Sequence, residues 1–461
     1  MTQIINNQKP AAVSPLKLSS PLGAAIAFIG MKRAVPLFHG SQGCTAFAKR
    51  LLFRHFNEAV PLSTTAMTEL SSILGGEENL QQAILNIASK QKPEIIGLCT
   101  TGLTETRGED VTGILKSFRE QFPELDNLPI VVVPTPDFKG SLQDGYAAAV
   151  EQIVRQIPEE QPVVPNQVTI LAGSLLTPGD LHEIKDMVKA LGLNPIVLPD
   201  LSGSVDGHWE ENQSALSSGG TSLPQIRSIG GSALTIAIGY SMEKSAKILY
   251  SRFGTPFEVI PRLTGLWACD RFLEILCRLK VEISSESESN FDEIVPEIYR
   301  RQRSQLQDAI LDAHFYFGGK RIALALEPDL LHQTAWWLTE MGAEIHTAIT
   351  STEGIEPKIK SSSLENLPVK EVIIGDLEDL ELLSAEADLL ITNSHGARVA
   401  HRLSKPLVRL GYPFFDKLGA AQQCTVGYRG STQLLFDVGN IFLEKTEKAV
   451  ANKWKELEIV P

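Results

Sequence analysis

The sequence contains no two cysteines placed to act together. Its cysteines, Cys44, Cys99, Cys269, Cys277 and Cys424, are an odd number spread across 461 residues, with no CxxC and none of the paired spacings of a disulfide framework or a zinc site. A reducing compartment suits that usage. Long apolar runs are also missing: the stretch from Leu22 to Met31 is too short to span a bilayer, and Lys32 and Arg33 follow it, whereas a secretory leader carries its charges in front. Basic tracts are short, the longest cluster being Arg300, Arg301 and Arg303, in a chain whose 55 acidic residues against 42 basic ones give a net charge of -13. That balance repels phosphate backbones and anionic lipid. No nucleic acid and no membrane are expected as partners, and a cytoplasmic location is expected. Familiar signatures of chemistry are absent as well: GxxxxGK[ST], HExxH, GxSxG, and a GxGxxG opening a helix after a strand. Nothing here supports a nucleotide hydrolase or a dehydrogenase.

What is present is ordinary globular composition, 43% hydrophobic and 21% charged, in a length that suggests about three domains. Apolar strand signals alternate with helical ones throughout. AVPLF, EIIGLC and LPIVVV in the first part are separated by amphipathic stretches such as TAFAKRLLFRHF, where Ala46, Leu51, Leu52 and Phe56 mark one face, and ETRGEDVTGILKSFREQF, read as one helix. Ser20 reads as a helix cap with Pro21 behind it and Gly30 at the far end. The segment Ile157 to Asn166, IPEEQPVVPN, reads as a linker. VTILAGSLL, NPIVLPDL, LTIAIGY and PFEVI continue the alternation, with Thr177 and Pro178 opening a helix that Gly192 ends. A helical connector from Ser284 to Phe317 is acidic at first (Glu286, Glu288, Asp292, Glu293) and basic later, as a solvated helix would be. KRIALALEPDLL, AEIHTAITS, KEVIIGDL, ADLLITNS and KPLVRLG then supply five more strands before a helical tail from about Thr432. Strands alternating with helices build parallel sheets from βαβ units. The expected fold is therefore α/β: three Rossmann-like doubly wound domains over residues 1–160, 166–283 and 284–461, with clefts between domains as the default ligand sites.

Candidate chemistry narrows to one loop. Cys99 lies inside an apolar strand, Cys269 and Cys277 can share one buried helix face, and Cys424 has no readable context. Among the histidines, His182 and His332 lie near helix starts, where capping or solvation suits them, and His395 and His401 do not share a helix face. Cys44 is different. In FHGSQGC it follows a strand, two glycines and His39, and stands at or just before a helix N-terminus, where free amides and the helix dipole favour a thiolate. His39 is kept as support for that site, not as a ligand. Iron-sulfur clusters ordinarily take four thiolates. Either this is not a cluster site, or another polypeptide supplies the remaining ligands.

Five ordered segments, PLGAAIAFIGMKRAVPLFHGSQGC, RHFNEAVPLSTTAMTE, LGGEENL, GLCTTGLTETRGEDV and VVVPTPDFKGS, resemble the β-type subunits of the nitrogenase family, and the likeness continues at lower density through the rest of the chain. Catalytic β chains of that family hold a double cluster with cysteines just before PLGA, at the end of HGSQGC and in a TTCM segment. Here those positions are Ser19, Cys44 and Gly102, and Asp137 stands where those chains have a serine. One thiol cannot hold the double cluster, so a catalytic β subunit is excluded.

The resemblance instead implies nitrogen fixation through biosynthesis of the iron-molybdenum cofactor. The chain would be the β-like subunit of a scaffold, an α2β2 heterotetramer, whose simpler 4Fe-4S cluster takes three cysteines from the α-like subunit and Cys44 from this chain. The cofactor precursor would be held mainly by that α-like subunit, which leaves no independent catalytic site to expect here. Further implied partners are the nitrogenase iron protein, bringing electrons, molybdenum and homocitrate, and apo-nitrogenase as acceptor. On this reading Gly40 and Gly43 let backbone approach the cluster, with Ser41 and Gln42 as support. The rival within the same fold is the β-like subunit of an oxidoreductase such as dark-operative protochlorophyllide reductase, which bound tetrapyrrole in the purified complex would reveal. A metal-free paralogue with Cys44 as mere packing is the other.

Overall fold

The computed structural model describes residues 2–6, 9, 14–209, 216–284, 294–352 and 362–456. The acidic start of the expected connector helix, with Glu286, Glu288, Asp292 and Glu293, lies outside them. The strands are β1 (Gln3–Asn6), β2 (Ala34–His39), β3 (Ser63–Thr64), β4 (Ile95–Thr100), β5 (Ile130–Val133), β6 (Val164–Ala172), β7 (Asn194–Leu198), β8 (Ser232–Ile238), β9 (Phe257–Ile260), β10 (Arg321–Ala325), β11 (Glu344–Thr350), β12 (Glu371–Ile374), β13 (Leu389–Thr392) and β14 (Leu407–Arg409). They form three sheets, ordered β3-β2-β4-β5, β7-β6-β8-β9 and β1-β12-β11-β10-β13-β14. Every pairing is parallel. β2 and β4 are buried along their whole length, which explains why they read as continuous apolar runs and not as alternating ones. In the first sheet the chain leaves β2 for β3 on one side and returns to β4 on the other. The carboxyl end of β2 is thus a topological switch point, the place where ligands gather in open α/β sheets.

Several local features depart from the sequence reading. β1 sits at the edge of the third sheet, pairing Gln3–Asn6 with Glu371–Ile374, a partnership between widely separated segments that no local pattern encodes. The stretch from Glu105 to Phe122 is two helices, Gly102–Arg107 and Val111–Gln121. Gly108 breaks them with φ +70°, and Asp110 starts the second by accepting the Gly113 N–H. β6 begins at Val164, inside the segment expected to be linker. Ser19, not Ser20, is the cap before the helix Ser20–Ile29, and the carboxy-terminal helix starts at Gly427. The helix after Cys44 buries Thr45, Ala48, Leu52, His55 and Phe56, so Ala46 faces outward.

Two close contacts hold the core around the site. The helix Ser20–Ile29, buried at every residue, crosses the helix Leu142–Gln156 at two glycines. A Cβ on Gly23 would lie 1.8 Å from Leu142 O, and one on Gly145 would lie 1.8 Å from Ser20 O. Backbone therefore packs on backbone, and side chains such as Ile26 and Phe28, each fully buried, contribute about 1.5 to 3 kcal/mol apiece. Between blocks, the fully buried Asp180 caps the helix Pro178–Ala190 and also accepts the Thr425 N–H at 2.6 Å and the Val426 N–H at 3.2 Å. Glu327 likewise joins distant segments, accepting from Ser141 Oγ and from Ser351 Oγ at 2.9 Å.

Two outcomes follow. Gly145→Ala should cost about 3 kcal/mol, seen as a lowered midpoint of chemical unfolding, because neither helix can yield without tearing the pair apart. Burial raises the Asp180 carboxyl to about 6, against the lowering pull of the Thr177 and Thr425 N–H groups. A raised carboxyl favours its proton in the folded state, so its share of stability falls as pH rises toward 6. Asp180→Asn sets an amide N–H against the Thr177 and Thr425 donors and should lower Tm throughout. That deficit should shrink by up to about 3 kcal/mol between roughly pH 4 and pH 7, and a deficit independent of pH would contradict the assignment.

Candidate metal centre

Three loops meet at the carboxyl end of the first sheet, because β2, β4 and β5 lie side by side and parallel. The connection after β2 leads into the first helical turn carrying Cys44, that after β4 into the helix starting at Gly102, and the loop after β5 carries Asp137. The start of the helix Ser20–Ile29 arrives at the same end, where Ser20 Oγ donates to Lys139 O at 3.0 Å. The positions that the family resemblance singled out, 19, 44, 102 and 137, therefore do converge on one end of one sheet.

Cys44 stands in the first turn of the helix Gln42–Phe56, with Ser41 as its cap residue in extended conformation. The thiol is exposed and free, and Ser41 Oγ approaches its sulfur at 3.6 Å. Amides of a first helical turn have no intrahelical acceptor and face whatever binds there, which favours a negatively charged group. The two glycines differ in purpose. A Cβ on Gly43 would meet nothing within 4 Å, so that position opens outward, whereas one on Gly40 would come within 2.5 Å of Thr101 Oγ1. Gly40 is required for packing against the next loop and does not form an open approach.

At the other positions Ser19 makes no side-chain cap bond, and Gly102 donates its N–H to Asp137 Oδ2 at 3.4 Å. A Cβ on Gly102 would touch the Asp137 Cβ at 3.4 Å, so the aspartate borders the space a longer side chain at 102 would enter. Burial raises the Asp137 carboxyl, opposed by the Gly102 N–H. His39 is wholly buried, and its Nε2 lies 2.9 Å from Glu109 Oε2. Burial lowers the pKa of the imidazole, with Glu109 pulling the other way. The remaining thiols are poor candidates. Cys99 and Cys269 are fully buried and pushed well above the ordinary thiol range, Cys277 is raised to about 11, and Cys424 is raised by its burial. His332, for which capping or solvation was expected, is buried, and its Nδ1 lies 3.0 Å from Ser363 O. His182 is half exposed beside Asp206.

Among the described residues no three His, Cys, Asp or Glu side chains are arranged to hold a metal ion. One exposed thiol on a helix N-terminus fits a single ligand of an iron-sulfur cluster; the chain's other described thiols do not join it. Exposed apolar side chains lie on the elements beside Cys44: Phe47 on its own helix, Leu70, Ile73 and Leu74 on the helix Glu69–Leu74, Leu103 on Gly102–Arg107 and Phe138 after β5. The helix bearing Leu103 joins the helix Glu69–Leu74 through Arg107, which donates to Ser71 O. Sequence periodicity could not have grouped these residues, because they lie on three separate helices and the loop after β5. Glu109 was missed for the same reason: only the fold brings it to His39. No helix among the described residues is long and apolar enough to cross a membrane.

Comparison with known proteins agrees with this geometry. The family model for nitrogenase component 1 type oxidoreductases matches residues 19–443. The nitrogenase iron-molybdenum cofactor biosynthesis protein NifN of Rippkaea orientalis is 59% identical over 96% of both chains, and NifN of a Nostoc species is 55% identical over 96% of both. Among solved structures, "Nitrogenase Cp1 at pH 6.5" superposes with a TM-score of 0.87 at 30% identity, covering 96% of this chain and 95% of that one. With the three parallel sheets, the segments around Cys44 and these near full-length likenesses in agreement, the chain belongs to the nitrogenase component 1 family.

Proposed function

We propose that this chain is the β-like subunit of a heterotetrameric scaffold on which the nitrogenase iron-molybdenum cofactor is matured, and that Cys44 is its single ligand to a 4Fe-4S cluster shared with an α-like subunit. The observation that carries the reading is the setting of Cys44: a lone exposed thiol in a first helical turn, with exposed Phe47 on the same helix and exposed Leu70, Ile73, Leu74, Leu103 and Phe138 on the elements beside it. Contiguous exposed apolar surface marks an interaction site, and a cluster with one ligand here needs its others from the protein that covers the patch. The names of the NifN relatives support the biosynthetic role.

When bound, the cluster would supply electron transfer at the subunit boundary. The chain's own part is positional. Cys44 offers its sulfur from a fixed helical turn, the first-turn amides offset negative charge, and the outward-facing Gly43 leaves room beside them. On this reading the maturing cofactor rests mainly on the α-like subunit. The nitrogenase iron protein and apo-nitrogenase complete the cycle as delivering and accepting partners.

Co-expression with the α-like subunit tests the assignment. Iron content and the visible and EPR spectra of the purified pair should show a 4Fe-4S cluster that Cys44→Ala diminishes severely, while the pair still co-purifies. Unchanged iron and spectrum in the variant would defeat the ligand role. The chain purified alone should carry little iron, and a full cluster on it would contradict shared coordination.

A further inference from the structure

The turn that presents Cys44 is held from behind by a buried polar chain that begins at Glu109. His39 Nε2 and Glu109 Oε2 face each other at 2.9 Å, both buried, and neither meets any other hydrogen-bonding group among the described residues. The second carboxylate oxygen, Oε1, accepts the Gly76 N–H at 2.6 Å and lies 3.5 Å from Arg107 Nη1. Space around the pair is closed: a Cβ on Gly76 would come within 2.8 Å of His39 Cε1 and 3.0 Å of Glu109 Oε1. On the other side of the ring, His39 Nδ1 lies 3.1 Å from Thr65 Oγ1. That hydroxyl accepts the Gly40 N–H at 3.0 Å, and Gly40 O accepts the Met67 N–H at 2.9 Å.

A lone pair on Nε2 would repel a carboxylate oxygen at that distance, so the carboxylate selects the imidazole tautomer protonated at Nε2. Nδ1 is then an acceptor, the Thr65 hydroxyl turns its proton toward it, and the oxygen lone pairs are left for Gly40. We propose that Glu109 is a positioning residue for the cluster-bearing turn: through His39 and Thr65 it fixes the Gly40 amide, and with it the place from which Cys44 meets its cluster. The groups that face His39 are Glu109, Arg107 and Thr65, so no other described charge competes for the ring. The cluster part of this inference rests on the reading of Cys44 given above; the holding of the turn does not.

Glu109→Gln keeps the size but offers only one acceptor to two donors. If the amide oxygen keeps Gly76, its N–H faces His39 and reverses the tautomer, so that Thr65 must accept from both Nδ1 and Gly40. Hydrogen-deuterium exchange of the full chain should then show the Gly40 amide, which donates to Thr65 Oγ1, exchanging at least tenfold faster, with Cys44 alkylation accelerated in parallel, while Glu109→Asp restores part of the protection. In the co-expressed pair the cluster's EPR spectrum should shift in Glu109→Gln and move back toward wild type in Glu109→Asp. Should Glu109→Gln fail to accumulate, Thr65→Val removes only the linking hydroxyl and should loosen the same turn. Wild-type exchange of the Gly40 amide in either variant overturns the proposal. Absence of a cluster in the wild-type pair would instead sink the functional reading and leave the exchange result standing.

Discussion

Sulfur supply is the constraint on which the rest turns. A cubane of iron and sulfide needs four protein ligands, and the end of the first sheet offers one exposed thiol. The other thiols are held in packed interiors whose low dielectric keeps them protonated. A site of this kind makes physical sense only at a boundary, and the apolar side chains around Cys44 provide the surface that a boundary needs. At 102, glycine lets Asp137 sit within reach of the Gly102 amide, so a carboxylate borders that position.

The fold serves that boundary by rigidity. Helix Ser20–Ile29 is clamped to helix Leu142–Gln156 through Gly23 and Gly145 with backbone in contact, leaving no slack beneath the loops that follow β2, β4 and β5. Carboxylates then join the blocks, the buried Asp180 reaching Thr425 and Val426 and the half-buried Glu327 reaching Ser141 and Ser351. Such groups cost desolvation and repay it only through complete sets of donors. They specify one arrangement of the three sheets more than they strengthen it.

Much of this was legible in the residues. Continuous apolar runs such as EIIGLC announced strands buried on both faces, and their alternation with helical patterns announced parallel sheets. Cys44 stood out because glycines, a strand end and a helix start coincide in seven residues. What stayed hidden depends on contacts between distant segments. β1 is four residues long and takes its meaning from β12. Gly108 ends one helix and Asp110 starts the next, although the apolar spacing runs smoothly across both. Glu109 looks like any surface acid until Gly76 and His39 close around it, and His332 looks solvated until Ser363 is placed against it.

The most direct test is a structure of the chain bound to its α-like subunit, with iron located by anomalous scattering. The expected map places one iron of a four-iron cluster in bonding contact with Cys44 Sγ, the other three irons bound by the α-like subunit, and the apolar patch around Phe47 and Leu103 covered. A map with Cys44 far from iron, or with all four ligands drawn from the α-like subunit, would contradict it.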